Sequence, residues 1–254
     1  MAGDKFLENL LKAGVIYWLY INIMGLGLNF IQTHTVVVCM WFFIIISFLS
    51  LLIALYIKKE SSRDTFTLKD IRWKIGLYSL LLCISECMLV VVFYGSPVWI
   101  PKSDITFGLI ISLSGAVLFA PIAEEIIFRG LIQKHLLKKL HPRLAISISA
   151  ILFALIHIEI ISRVLPAFLS GIFCGIIYYK TNKLIVCILF HSFYNLLAFF
   201  VGFPLNFSLL LQAISFVIAT GLAVYSIRGL WNDPALNVNN ISEIMNENEN
   251  ENYD

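Results

Sequence analysis

The chain has 254 residues, 59% of them hydrophobic and 13% charged, with a formal net charge of +2 and a mean hydropathy of +0.88. Soluble domains carry about 25% charged residues. No soluble core of this size could bury so much apolar side chain, so a polytopic membrane protein is implied. Residues 232–254 hold six acids and no Lys or Arg, which leaves the rest of the chain at +8 and argues for membrane topology rather than nucleic-acid binding.

A membrane span needs about 20 mostly apolar residues, or fewer where the helix is enclosed by protein. In chain order eight stretches qualify: 13–31, 35–57, 75–97, 106–128, 144–161, 164–179, 184–203 and 207–227. The fold class is therefore all-α, a membrane helix bundle of about eight transmembrane helices. Lys5 and Lys12 precede the first run and no A-x-A-like cleavage site follows, so the N-terminus reads as a retained anchor. Gln32-Thr33-His34 makes a tight hairpin of the first two spans. The loop at 58–74 is basic, with Phe66 and Trp73, and suits anionic headgroups. Glu86, beside Ser85 in the third span, is expected as a hydrogen-bonded acid, with a substrate path as the other reading.

Leu131, Ile132, Leu136, Leu137 and Leu140 continue the fourth helix into the cytoplasm at helical spacing, and Pro142 stops it. The sixth span carries Gly171 and Gly175, a G-x-x-x-G spacing that admits close helix approach. From Asn232 onward the Asn- and Glu-rich tail reads as disordered. The five cysteines, Cys39, Cys83, Cys87, Cys174 and Cys187, all fall in apolar segments and read as buried thiols. Trp18, Trp41, Trp73, Trp99 and Trp231 mostly fall near predicted interfaces.

Sixteen Lys and Arg residues fall on one side of these spans, and only Lys102 and Arg163 on the other. This bias places both termini in the cytoplasm. In a prokaryotic source the membrane would be the plasma membrane.

Polar residues within the spans fall into three patches: Glu124-Glu125 with Arg129, Phe153 with His157, and His191 with Asn195. Ionisable groups are costly at such depth and normally face one another or a wet cavity. Glu125 and Arg129 stand at i,i+4 on one helical face and neutralise each other. Glu124 is rotated about 100° away and is left for chemistry, as a carboxylate suited to act as general base. His157 alone reads either as a satisfied structural group or as a catalyst. His191 and Asn195, one turn apart, read either as hydrogen-bond donors to an oxyanion or as an interhelical polar contact. Glu124 is expected ~10 Å inside the cytoplasmic rim, His191 ~10 Å and His157 ~20 Å, so the levels match only if the fifth span starts outside the membrane or tilts. Glu159 and Arg163 read as interface residues, and His34, His135 and His141 as bland loop or surface groups.

In this order and on separate spans, the E-E-x-x-x-R, F-x-x-x-H and H-x-x-x-N patches resemble the CPBP family. It comprises CAAX prenyl-protein endoproteases and bacteriocin-processing or immunity proteins, also called Abi proteins. The resemblance covers residues 106–203. It implies a catalytic core built from helices four to seven, flanked by N-terminal helices over 1–105, a last helix over 204–231 and the acidic tail 232–254. It further implies an intramembrane endopeptidase acting on a membrane-associated, prenylated or leader-bearing peptide. Glu124 and His157 would activate water, His191 and Asn195 would stabilise the oxyanion, and Glu125 and Arg129 would support the site. The family is usually filed under metalloproteases, and a divalent metal such as zinc would fall to Glu124, His157 and His191. A metal-free glutamate mechanism stays open beside it. H-E-x-x-H, G-x-S-x and G-x-G-D motifs are absent, which disfavours zincin, rhomboid and presenilin-type sites. The other reading of the whole chain is a non-catalytic immunity or adaptor protein.

Overall fold

A computed structural model of the chain describes residues 68, 71–94, 113–158, 161–201 and 208–233. The first two expected spans, Cys39, Trp18, Trp41, Trp99, Glu159 and most of the acidic tail lie outside the described residues. Those described are helical, with no strand among them.

Six helical rods follow in order. α1 is Trp73–Tyr94. α2 runs over residues 113–137 and alternates a π-helical stretch at Gly115–Phe119, an α-turn at Ala120–Glu125, a second π-helical stretch at Ile126–Gln133 and a last turn at Lys134–Leu137. α3 is Pro142–Leu155, α4 is Ile161–Thr181, α5 is Leu184–Val201 and α6 is Leu209–Asn232. The stretches Trp73–Phe93, Arg163–Thr181 and Leu209–Asn232 are each long and apolar enough to cross a membrane, while Pro142–Leu155 and Leu184–Ala198 are apolar but shorter.

The expected fifth span, 144–161, is cut short. α3 ends at Leu155, and His157 lies in the turn that follows. The imidazole causes part of this ending, because its Nδ1–H donates to Phe153 O at 2.9 Å and satisfies a carbonyl of the last turn. At the other end Pro142 occupies the first turn, where its missing N–H costs nothing, and the His141 ring accepts from Arg143 N.

α2 and α3 form an antiparallel hairpin around residues 138–141. Its register is fixed by the Phe128–Phe153 edge contact at 5.1 Å and by Ser149 Oγ, which donates to Phe128 O at 3.0 Å. Four residues beyond that contact stand Glu124 on α2 and His157 in the turn after α3. The Phe128–Phe153 contact thus sets Glu124 and His157 at matching distances along the hairpin.

α3 packs on α4 through the two glycines. A Cβ at Gly171 would lie 2.9 Å from Ala150 Cα, and one at Gly175 would lie 2.8 Å from Ile146 Cγ2. α4 ends at Asn182, whose φ of 50° is a left-handed cap that turns the chain tightly into α5. α1 and α6 pack antiparallel. Tyr78 meets Tyr225, Phe93 meets Phe216, and Ser85 Oγ donates to Ala219 O at 2.8 Å between them. α6 leaves much of its apolar surface outward, including Leu209, Leu210 and Val217, as a lipid-facing helix does. The main core joins Leu82, Cys83, Cys174, Ile177, Cys187 and Phe190 from α1, α4 and α5.

The basic helix ends gather. Lys180 Nζ donates to Trp231 O at 2.7 Å, Arg143 lies over the Trp231 ring, and Arg72 pairs with Asp233 at 3.2 Å. Arg129, counted with the cytoplasmic charges, is fully buried in the bundle, in the pair with Glu125 that its i,i+4 spacing predicts.

Gly171→Ala should lower stability by about 1–3 kcal/mol, because the added methyl must part α3 from α4. Gly76→Ala should not lower it, since nothing lies within 4 Å of that position in α1 and alanine is the better helix former. Thermal unfolding of both variants in detergent measures the contrast, and equal shifts would show that the glycine contact is immaterial.

Candidate active site

Within α2 the sequence Glu124-Glu125-Ile126-Ile127-Phe128-Arg129 crosses from the α-turn into the long π-helical stretch. Wider π turns occur often at functional sites. Here the stretch carries Arg129 and Gln133, four residues apart, to the same neighbour. Arg129 Nη2 donates to Gly171 O at 3.0 Å and Gln133 Nε2 donates to Gly175 O at 2.8 Å. Two side chains of α2 thus grip two carbonyls of α4 at the positions where the missing Cβ atoms let the helices close in.

Arg129 and Glu125 form a buried ion pair, Nη1 to Oε1 at 3.0 Å, with both side chains at 0% exposure. The guanidinium carbon also stands 4.9 Å from the Phe153 ring centroid. A charge buried so completely is tolerated only when it is paired and hydrogen-bonded. Arg129 meets both conditions.

Glu125 does more than the sequence assigned to it. Its Oε1 also lies 2.8 Å from His191 Nδ1, across 66 positions of chain. An ionised carboxylate only accepts, so the shared hydrogen is on Nδ1. Glu125 therefore selects the tautomer and fixes the ring of His191. His191 Nε2 is turned to the other acid and stands 3.8 Å from Glu124 Oε2. That gap is too long for a hydrogen bond. It can be bridged by a small oxygen donor or acceptor that touches both groups.

Phe153 is the wall of this site. Its ring contacts His157 at 5.0 Å, His191 at 5.7 Å and Phe128 at 5.1 Å between centroids. His157 donates from Nδ1 to Phe153 O, so its Nε2, like that of His191, is left as an acceptor. Glu124 and His191 are 7% and 5% exposed, and His157 is half-buried. A second apolar cluster, Ile127, Phe128, Phe153, Ala154 and Ala167, lies under the polar groups and lowers the local dielectric.

Asn195 is one turn from His191 on α5 but does not converge with it on Glu124. Its Nδ2 donates to Ala116 O at 2.7 Å, in the first π-helical stretch of α2. The sequence pattern gave no sign of that bond, since it depends on a carbonyl in a widened turn. Gln133 and Ser149 were also missed. Gln133 had a usable signal, as it extends the Glu125–Arg129 spacing by one more turn opposite Gly171 and Gly175. Glu86, expected to be hydrogen-bonded, is fully buried with no hydrogen-bond partner on either carboxyl oxygen. Cys83, Cys87, Cys174 and Cys187 are buried free thiols. Among the described residues no three His, Cys, Asp or Glu side chains are placed to hold a metal ion. Glu124, His157 and His191 do not form such a group as placed.

A bundle of apolar helices, three of them long enough to cross a membrane, encloses this acid–histidine cluster, as in an integral membrane protein. The family described as Type II CAAX prenyl endopeptidase Rce1-like has a model that matches residues 106–197, the stretch that supplies Glu124, Glu125, Arg129, His157, His191 and Asn195. Over those residues the chain is similar to the CAAX-type (CPBP) intramembrane protease family. No curated protein and no solved structure gives a match.

Arg129→Ala should destabilise the protein by about 3 kcal/mol or more, because it strands Glu125 and releases the grip on Gly171. Lys138→Ala, near the α2–α3 turn, should stay within about 0.5 kcal/mol of wild type. Unfolding measured for both variants decides the point, and indistinguishable shifts would refute the buried pairing.

Proposed function

We propose that the protein is an intramembrane endopeptidase in which Glu124 activates water against a peptide bond. The observation that carries this reading is the orientation of His191. Glu125 holds it by Nδ1, which turns Nε2 towards Glu124 across a gap of 3.8 Å. A water held between Glu124 and the acceptor nitrogen of His157 gives up a proton to Glu124 as its oxygen adds to the scissile carbonyl. The tetrahedral oxyanion is received by the imidazolium form of His191, which carries a second proton on Nε2 before the attack and keeps it throughout; Asn195, one turn away on the same helix, would join only by leaving Ala116 O. Collapse of the intermediate expels the amine, and Glu124 returns the proton to it. Atoms and charge balance without a further reactant. The apolar cluster beneath keeps bulk water out, which strengthens each electrostatic term.

The substrate class that suits this site is a membrane-associated peptide, either prenylated or bearing a leader. Apolar helices on all sides admit a lipid-anchored chain more readily than a soluble one. The basic ends around Trp231 and Asp233 are cytoplasmic in this reading, with both termini on the same side. A divalent ion at Glu124, His157 and His191 would need these three as a ligand set, which they do not form as placed.

Glu124→Gln keeps size and hydrogen bonding but removes the base. We expect folded, membrane-inserted protein whose turnover falls by roughly 10²–10⁴-fold. Comparison of membrane peptides from cells carrying wild type or this variant would identify the substrate as the species that accumulates uncut. Full processing by the variant would reject Glu124 as the base.

A further inference from the structure

Glu86 lies at the middle of α1, outside the matched stretch 106–197. It is 0% exposed, and neither Oε1 nor Oε2 has a hydrogen-bond partner. An acid stranded in an apolar bundle costs several kcal/mol in general, so its position calls for a compensating role. Two other orphaned polar atoms belong to the same neighbourhood. Ser170 Oγ is buried on α4 without a hydrogen bond, and so is Arg129 Nε. Ser170 directly precedes Gly171, the residue whose carbonyl takes Arg129 Nη2. The Ser170 hydroxyl and the Arg129 charge both act on the Glu86 carboxyl.

The guanidinium is a planar fork of five donors. Nη1 goes to Glu125 and Nη2 to Gly171 O, which leaves the Nε edge. Donation from that edge to the Ser170 hydroxyl, and from the hydroxyl to the Glu86 carboxyl, would give all three orphaned groups a partner and make a chain to α1. We propose that Glu86 is a positioning residue for Arg129, holding the guanidinium through Ser170 while Glu125 holds it at Nη1, so that α1 belongs to the working site. Because Arg129 orders Glu125 and Glu125 orders His191, the influence of Glu86 reaches the imidazole without touching substrate. The functional meaning of this inference rests on the protease reading above, but the contact itself does not.

The sign of one substitution separates this role from a passive buried acid. A passive acid replaced by an apolar side chain of similar size leaves a protein as stable or more stable. The experiment uses full-length protein in detergent, with Glu86→Leu, Glu86→Gln, Ser170→Ala and Arg129→Gln, singly and with each of the first three combined with the last. Thermal unfolding needs no substrate, so it decides the contact even if no cleavage is found. We expect Glu86→Leu and Ser170→Ala to melt below wild type, Glu86→Gln to melt with it, and each double variant to melt with Arg129→Gln alone. Where cleavage is found, Glu86→Leu should lower kcat on the order of a hundredfold with KM unchanged, as misplacement of a catalytic group does, and Glu86→Gln should restore it. Glu86→Leu melting at or above wild type would overturn the proposal. So would strictly additive losses in the double variants. If Glu86→Leu fails to insert, Ser170→Ala, which removes one hydroxyl only, carries the same comparison, and a melting point unchanged from wild type then overturns it.

Discussion

One carboxylate oxygen, Glu125 Oε1, ties the site together. It accepts from Arg129 on its own helix and from His191 on α5, and it does so at 0% exposure. An ionised group in that position has no water to fall back on, so its partners are obligatory rather than optional. Arg129 extends the constraint by donating to Gly171 on α4, and the Phe153 ring beneath the guanidinium brings in α3. Four helices are thus held by the requirement that a single buried acid be neutralised. The same requirement presents an imidazole in one tautomer towards Glu124.

The backbone of α2 makes this possible. A regular α-helix places successive turns of one face against a single groove. The two π-helical stretches widen α2 on either side of the acids and change which neighbour each turn meets. Below the acids, Arg129 and Gln133 both reach α4. Above them, Ala116 offers its carbonyl to Asn195 of α5. The pairing with α3 is set separately, by Phe128 against Phe153 and by Ser149. The level of His157 against Glu124 follows from packing of apolar groups one turn away from any of the chemistry.

Parts of this were legible in the sequence for definite physical reasons. Positions of the helices from 75 onward follow from the length of apolar runs. The Glu125–Arg129 pair follows from i,i+4 spacing, and the approach of α4 follows from Gly171 and Gly175. The end of α3 was misread, because Ile156, Ile158 and Ile161 continue the apolar run and a hydropathy reading cannot see that His157 caps the helix. The spacing paired Arg129 with Glu125 but could not show that Gly171 O and the Phe153 ring enclose the guanidinium, because both lie on other helices.

Sequence alone determined that the chain is a membrane helix bundle and which few polar residues its apolar helices must accommodate. It did so because burial costs for charged groups are large and local spacing is set by helical geometry. The tertiary structure decided which acid meets which histidine. Glu125 rather than Glu124 takes His191 Nδ1, and Asn195 turns to Ala116. Those outcomes depend on the rotation and register of helices separated by many turns of chain. Rotations of that kind are fixed by packing of side chains such as Phe153 and of positions that lack one, such as Gly171, and no spacing rule within a single helix contains them.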